Sequence, residues 1–194
     1  MCNLQTLVGC RKPTPGVSVR GKIIAASKVT AMPKTVKQLG EAGAVASPPV
    51  PYTNAIGDGV RYGEAFTLTT GAKWVEMEFV INSGELMSKL SGPDGFKAFD
   101  NELTAKFTGT NDQVREFVSE LNDCCGGWVL AIPTLDDPDV SAIIGTINAP
   151  AIFDMPKMTT AKKAGEESSV EVKFTDYSGK IWRSYPNSLG LPTT

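Results

Sequence analysis

Hydrophobic and polar residues alternate along two segments of the chain. In residues 73–82 every second position is hydrophobic: Val75, Met77, Phe79 and Ile81. Residues 99–108 repeat the pattern at Leu103, Ala105 and Phe107. Successive side chains of a β-strand point to opposite faces of the sheet, so a period of two predicts strands with one buried face and one solvated face. The two segments therefore predict a sheet that presents a polar surface.

Further strands are predicted where β-branched and aromatic residues cluster between turn signals. These strands cover residues 17–32, 64–70, 128–132, 140–148, 169–177 and 180–185. Gly71 predicts a hairpin between the strands on either side of it, and a turn after Tyr177 predicts a second one. Residues 85–90 are interpreted as a helical turn, residues 150–154 as a continuation of the sheet, and the polar residues 155–168 as a loop.

One helix is predicted over about residues 110–125. Its hydrophobic positions have the i, i+3, i+4, i+7 spacing of a single helix face: Val114, Phe117, Val118 and Leu121. We expect Thr110 to cap the first turn together with Gln113, because this spacing is typical of a capping box. Gly126 and Gly127 are expected to end the helix. Strands and helix together predict an α+β, mainly β fold, with a β-sandwich or barrel-like sheet and one flanking helix.

Residues 33–63 differ in character from the rest of the chain. They contain several prolines and glycines, and their apolar residues are mostly alanine. A connection of roughly 30 residues without a regular pattern is uncommon inside a compact domain. The segment is either disordered on its own or a functional arm that orders against a partner, and its few larger apolar residues favour the arm. The 194 residues are otherwise expected to form a single domain (1–194), with an irregular tail at 186–194.

The composition argues against several classes of function. The chain has no histidine, so catalysis that depends on a histidine acid, base or metal ligand is excluded. The net charge of −2 and the pI near 5.3 argue against a basic nucleic-acid-binding surface. No apolar run approaches the roughly 20 residues of a membrane span, and the first residues do not resemble a signal peptide. We therefore expect a protein made in a cytoplasm that is not an enzyme and uses no cofactor, metal or membrane.

The four cysteines are Cys2, Cys10, Cys124 and Cys125. Structural zinc sites usually supply thiolates as pairs with two to four residues between them, and neither pair here has that spacing. A cytoplasm also keeps thiols reduced. We therefore expect free thiols, with Cys124 and Cys125 filling space at the end of the helix.

The order of the predicted elements resembles that of bacteriophage tail tube proteins. The resemblance is carried by the long segment at 33–63, the strands on both sides of residues 83–97, the capped helix at 110–125 and the closing strands up to Tyr185. A second, local resemblance is to small structural proteins of phages that infect Bacteroidetes-type hosts. The segments that carry it are Met1-Cys2-Asn3-Leu4, Gly9-Cys10 and residues 17–24, 128–132, 143–146 and 170–175.

The resemblance implies a small β-sandwich whose copies stack as hexameric rings around a DNA conduit. Its partners would be further copies of the chain, other virion proteins, and DNA that passes through the lumen without specific binding. It implies a location in the virion after assembly in the host cytoplasm. The contacts expected between copies lie in the arm, at Pro49, Tyr52, Ile56 and Tyr62. Glu76 and Glu78 are expected to face the lumen, because an acidic face does not attract phosphates.

Two alternatives remain open from the sequence. Another ring protein of the virion, such as a connector or a terminator, agrees with the same order of elements. A β-rich module that binds a partner or a carbohydrate agrees with the sheet but requires no assembly. Rings or tubes formed by the purified protein would favour the virion proteins, whereas a monomer at every concentration would favour the binding module.

Overall fold

The computed structural model of the chain describes residues 20–41, 59–80, 83–94, 97–124, 126–133, 139–160, 168–178 and 180–193. It is mainly β, with three antiparallel sheets and two α-helices in these residues, which confirms the predicted fold class. The strands are β1 Arg20–Ala25, β2 Val29–Ala31, β3 Thr67–Leu68, β4 Val75–Glu78, β5 Glu85–Ser91, β6 Ala98–Thr108, β7 Trp128–Pro133, β8 Val140–Ile144, β9 Ile152–Thr159, β10 Ser169–Asp176 and β11 Arg183–Pro186. The α-helices are α1 Val36–Glu41 and α2 Asp112–Asp123.

The first sheet has five strands in the order β11-β8-β7-β1-β4. Its central strand β7 is buried on both faces and is apolar throughout, and residues 128–132 are all buried. Side chains on one face enter the main core, and those on the other face enter a second core. The sheet is therefore the middle layer of the molecule.

The second sheet has four strands in the order β5-β6-β10-β9, all antiparallel to their neighbours. In β6 and β10 buried residues alternate with partly exposed ones, as the sequence pattern predicted. Phe107 of β6 stacks on Phe79 beside the first sheet and meets Phe117 of α2 edge-on. The two sheets and α2 thus enclose the main core as a sandwich, and the outer face of the four-stranded sheet is left to solvent.

Helix α2 lies close to its predicted range, with its first turn capped by a different residue. The cap is Asn111 rather than Thr110, because the Asn111 side chain accepts a hydrogen bond from the Val114 backbone N–H at 3.0 Å. The predicted apolar face is buried. At the other end, the indole N–H of Trp128 donates to the Leu121 carbonyl at 3.1 Å, which fixes the last turn to the first sheet.

A third layer covers the second face of the five-stranded sheet. It contains the β2–β3 pair and the end of the chain, and α1 adjoins it where the Val36 N–H donates to the Arg61 carbonyl at 2.8 Å. Helix α1 lies in the segment that we interpreted as an arm, and it begins with a capping box in which Thr35 and Gln38 exchange hydrogen bonds of 2.9 and 3.3 Å. The tail, which we expected to be irregular, is held on this layer because the Trp74 backbone N–H donates to the Pro192 carbonyl at 2.8 Å.

Several local predictions are wrong because pairing with distant strands decides the structure. Residues 85–90 belong to strand β5 rather than to a helical turn, since β6 pairs with them along their whole length. Residues 155–159 belong to β9 rather than to a loop. The hairpins predicted at Gly71 and after Tyr177 do not form: β4 pairs with β1 while β3 pairs with β2, and β11 pairs with β8 in the other sheet. The strands predicted at 128–132 and 140–148 do pair with each other, as β7 and β8. The predicted strand at 17–32 is interrupted by a 3-10 turn at Ala26–Lys28.

Candidate functional site

The two end strands of the four-stranded sheet have open edges. β5 has seven residues and β9 has eight, and within the described part of the chain neither has a backbone partner on its outer side. In the first sheet, residues 60–62 cover the edge of β11: the Ser184 N–H donates to the Val60 carbonyl at 2.9 Å, and the Tyr62 N–H donates to the Ser184 carbonyl at 2.8 Å. The other end strand of that sheet, β4, has only four residues, and among the described residues its outer side is contacted just before the strand, at Trp74. Unpaired strand edges are ready to pair with another chain.

Exposed hydrophobic side chains concentrate at these same edges. Among the described residues, all of the exposed large hydrophobic side chains except Val60 lie on β5, on β9 or just after β10. They are Met87 and Leu90 on β5, Ile152, Met155 and Met158 on β9, and Tyr177 and Ile181 after β10. Leu90 and Ile152 are 55% and 57% exposed. Exposed apolar patches on a folded protein commonly mark surfaces that contact another molecule.

The outer face of the four-stranded sheet carries charges of both signs in alternation. Lys89 of β5 lies opposite Asp100 of β6, and Lys173 of β10 lies opposite Asp154 of β9. The Lys173 ammonium is 2.8 Å from a carboxylate oxygen of Glu102, and this hydrogen bond raises the pKa of Lys173 because it favours the charged form. The face is therefore strongly polar without forming a field of one sign.

A shallow groove of about 460 Å³ lies on this face. Its lining combines apolar side chains with charged ones: Met87, Lys89, Asp100, Glu102, Ile152, Phe153, Asp154, Lys173, Thr175 and Tyr177. Tyr177 is 63% exposed and supplies an aromatic ring at this surface. An aromatic ring beside carboxylates is an arrangement that can hold a polar ligand with an apolar side.

A buried polar cluster fixes the end of the sheet beside the groove. Asp176 is only 2% exposed, and its carboxylate accepts hydrogen bonds from the Gly145 N–H at 3.0 Å and from the Ser178 N–H at 2.7 Å. The Asn101 side chain donates to the same carboxylate at 3.3 Å and to the Lys180 carbonyl at 2.8 Å. The cluster thus ties the first sheet to the second and holds the segment that presents Tyr177.

The two glutamates that we expected to face a lumen lie on the other sheet. Glu76 and Glu78 are half-buried on β4, where they pair across the strands with Lys22 and Arg20 of β1. The Arg20 guanidinium is 3.6 Å from the Glu78 carboxylate. This surface is therefore of mixed charge rather than acidic.

Of the four residues that we expected between copies, only Tyr62 lies in the described part of the chain. Its side chain is 1% exposed and packs edge-on against Phe66 and Tyr185 in the second core. Arg183 lies over its ring at 5.4 Å, and burial raises the pKa of the Tyr62 phenol. The Tyr62 side chain thus leaves no surface for a second copy, whereas Pro49, Tyr52 and Ile56 lie outside the described residues.

Cys124 departs from the expectation of free thiols. It is disulfide-bonded, to a partner outside the described residues, and it is buried at the end of α2. The described residues contain no group of three or more side chains that could hold a metal ion. No helix among them is long and apolar enough to cross a membrane.

No family model, curated protein or solved structure matches the chain. The candidate functional surface consists of the outer edges of β5 and β9, the exposed apolar side chains along them and the charged face between them. Sequence reasoning missed strand β5 and the part of β9 beyond residue 154, although one signal for β9 was present. Pro156 lacks a backbone N–H, and a proline between β-like residues is typical of an edge strand.

Proposed function

We propose that this protein is a structural subunit that assembles with copies of itself into a ring, and that it serves as a tail tube subunit of a virion. The observation that carries the proposal is that β5 and β9, at opposite ends of one sheet, have no backbone partner on their outer sides among the described residues. A long open edge is an aggregation hazard unless another chain covers it. A head-to-tail contact that repeats by rotation closes into a ring, and the closed barrel has no edge left.

The exposed apolar residues support this assembly. Met87 and Leu90 line one edge, while Ile152, Met155 and Met158 line the other. Both edges therefore offer apolar surface that pairing would remove from water, at about 25 cal/mol per Å² of area buried. This contribution adds to the backbone hydrogen bonds that two paired edges would form.

The outer face of the four-stranded sheet would line the conduit of such a ring, because the other face is filled by the main core. Its alternating charges would let DNA pass without binding, since affinity for phosphates comes from lysine and arginine side chains that are free to neutralise them. Lys173, for example, is already paired with Glu102. Glu76 and Glu78 would lie outside the conduit in this arrangement.

The size of the ring suits a conduit. Neighbouring strands lie about 4.8 Å apart, so a ring of six copies, the number that the resemblance implies, would form a barrel with a backbone diameter on the order of 40 Å. Barrels of about 16 to 18 strands already leave a water-filled channel. A connector or a terminator of the virion would use the same edges.

A second candidate function is a module that binds a carbohydrate or a protein partner. The groove with Tyr177 favours it, since an exposed aromatic ring beside carboxylates can stack on a sugar and bind its hydroxyl groups. This function requires no assembly.

The purified protein distinguishes the two functions. We expect size-exclusion chromatography with light scattering to show a concentration-dependent oligomer, and negative-stain images to show rings or tubes. Leu90→Lys should weaken assembly because it places a charge on the apolar edge, whereas Val60→Lys, at the exposed hydrophobic residue away from this sheet, should leave it unchanged. A monomer at every concentration and salt condition would contradict the proposal. Retention of that monomer on immobilised oligosaccharides, lost in Tyr177→Ala, would favour the binding module.

A further inference from the structure

We infer that strand β5 of one copy pairs antiparallel with strand β9 of the next copy, in the register that places Lys89 opposite Asp154. The inference rests on the proposed function, and it names the strands, the direction and the residues of the contact between copies.

The direction follows from the number of strands in the sheet. Each strand is antiparallel to its neighbour in the order β5-β6-β10-β9, so β5 and β9 run in opposite directions. Copies related by rotation about the axis of a ring keep the same orientation along that axis. The edge of β9 therefore meets the edge of the next β5 as an antiparallel neighbour, and the alternation of strand directions continues around the ring.

The faces of the two strands restrict the register. On β5, Leu86 and Leu90 lie on the core side of the sheet, opposite Leu103 and Phe99, and Lys89 lies on the outer side. On β9, Phe153 and Met158 lie on the core side, opposite Phe174 and Val170, and Asp154 lies on the outer side. A shift of one residue would place apolar side chains against solvent, so only registers that match the faces are allowed.

The register that pairs Lys89 with Asp154 places core-side residues of β5 opposite core-side residues of β9, and outer-side residues opposite outer-side residues. Counting along the strands, it places Leu90 opposite Phe153 on the core side. The register of β9 shifts between Asp154 and Lys157, and this irregularity takes up one additional residue. Beyond it, Leu86 comes opposite Met158. Two apolar pairs and one pair of opposite charges thus form together, and each such pair stabilises a sheet.

The neighbouring registers are worse on the same criteria. Sliding β5 by two residues in one direction places Lys89 opposite Lys157, and like charges directly opposite each other are destabilising. Sliding it by two residues in the other direction places Lys89 opposite the apolar Ile152 and leaves Leu90 without a partner. Charge and apolar matching therefore select the same register.

The stagger of this register also suits a closed barrel. Within one copy, Glu85 lies in the same row as Asp154, through Thr104 and Lys173. In the proposed register, Asp154 lies opposite Lys89 of the next copy rather than opposite its Glu85. The row of opposite residues is therefore displaced along the strands by four residues for every four strands. A stagger of about one residue per strand is the ratio found in eight-stranded barrels of shear 8, whose strands tilt by about 36°.

A charge exchange tests the contact. Lys89→Glu and Asp154→Lys each place like charges across the proposed junction, so each should raise the protein concentration needed for assembly about fivefold. The double variant restores opposite charges across the junction and should assemble at a lower concentration than either single variant, whereas the like charges that the two changes place opposite Asp100 and Lys173 within one copy persist in it. Lys89 and Asp154 lie on opposite edges of the same sheet, three strand spacings apart across the sheet and four residues apart along the strands, which is roughly 20 Å. A rescue therefore reports a contact between copies rather than within one.

The control exchanges a pair of charges on the same face away from the edges. Lys106 and Glu171 lie opposite each other on β6 and β10, and Lys106→Glu combined with Glu171→Lys should leave assembly unchanged. Circular dichroism of every variant separates loss of folding from loss of assembly. Lys89→Gln and Asp154→Asn, each made alone, are milder versions of the two single changes, because they remove a charge without reversing it.

The outcomes separate this inference from the proposed function. Native protein that assembles, single variants that do not and a double variant that does would support the contact. Native protein that assembles while the double variant fails, or single variants that assemble like the native chain, would overturn the contact and leave the ring proposal in place. A native protein that stays monomeric would overturn both.

Discussion

The buried carboxylate of Asp176 is predicted to hold the two sheets of the sandwich together. It accepts hydrogen bonds from the Gly145 N–H, which follows β8 in the first sheet, and from the Asn101 side chain on β6 in the second. A third bond comes from the Ser178 N–H in the turn after β10. Asp176→Ala removes both carboxylate oxygens that accept these three hydrogen bonds and leaves the donors in a region that water reaches poorly.

The expected loss of stability follows from these three contacts. A hydrogen bond to a charged group contributes about 1.5–3 kcal/mol, and contributions within one cluster do not simply add. We therefore expect Asp176→Ala to lower the free energy of unfolding by about 4 kcal/mol, a large part of the roughly 5–15 kcal/mol typical of a whole domain. Asp176→Asn should cost nearly as much, because its amide nitrogen would point a donor at another donor.

Urea unfolding followed by far-UV circular dichroism measures this loss. With a denaturant slope of about 2 kcal/mol per M, the midpoint should fall by about 2 M. Asp94→Ala is the control, because Asp94 is exposed and its ion pair with Lys97 lies at the surface, so its removal should change stability by less than about 0.5 kcal/mol. The unfolding is measured at two protein concentrations, because a contribution of assembly to stability would change with concentration. A loss below about 1 kcal/mol for Asp176→Ala, or native stability in Asp176→Asn, would refute the reasoning.

Two further predictions concern backbone space and buried phenols. Gly145 and Gly109 both have positive φ, +82° and +85°, but a Cβ at 145 would lie 2.3 Å from the Trp128 carbonyl oxygen, whereas nothing lies within 4 Å at 109. Gly109→Ala should therefore cost about 1 kcal/mol and Gly145→Ala at least about 3 kcal/mol in thermal unfolding, and equal costs would contradict this explanation. Burial raises the pKa of Tyr185 to about 12, so the stability that its neutral phenol contributes is complete below about pH 10 and is lost as the pH rises through 12. Tyr185→Phe should remove this part of the alkaline pH dependence, and an unchanged dependence would show that another group causes it.

Periodicity predicted the elements that have one buried and one solvated face. In β6 and β10 the buried residues alternate strictly, because one side of each strand meets the main core and the other meets water. Helix α2 was predicted for the same reason, with Val114 to Leu121 forming a single apolar face. In these elements the local pattern and the tertiary environment agree, so the sequence alone was sufficient.

The candidate site was not predicted, because its strands lack that environment. On β5 and β9 both faces are partly exposed, and the apolar side chains do not follow a simple alternation. The partners of a strand are also non-local: β1 pairs with β4 and β7, which no nearby residue indicates. The glutamates at 76 and 78 alternate correctly, yet the sequence could not show that Lys22 and Arg20 lie beside them.

The open edges carry features that usually prevent pairing, and these features decide which partner fits. β9 contains Pro156, a register irregularity and Lys157, while β5 contains Lys89, and such residues protect the edges of monomeric proteins. Protection alone would not place Leu90, Ile152 and three methionines on the same edges. In the proposed register, Ser88 lies opposite the irregular part of β9 that contains Pro156. The regular pairing is interrupted there, so the N–H that the proline lacks costs little. Lys89 lies opposite the carboxylate of Asp154. The edges would therefore reject an arbitrary strand and accept the one edge of an identical copy whose faces and charges match.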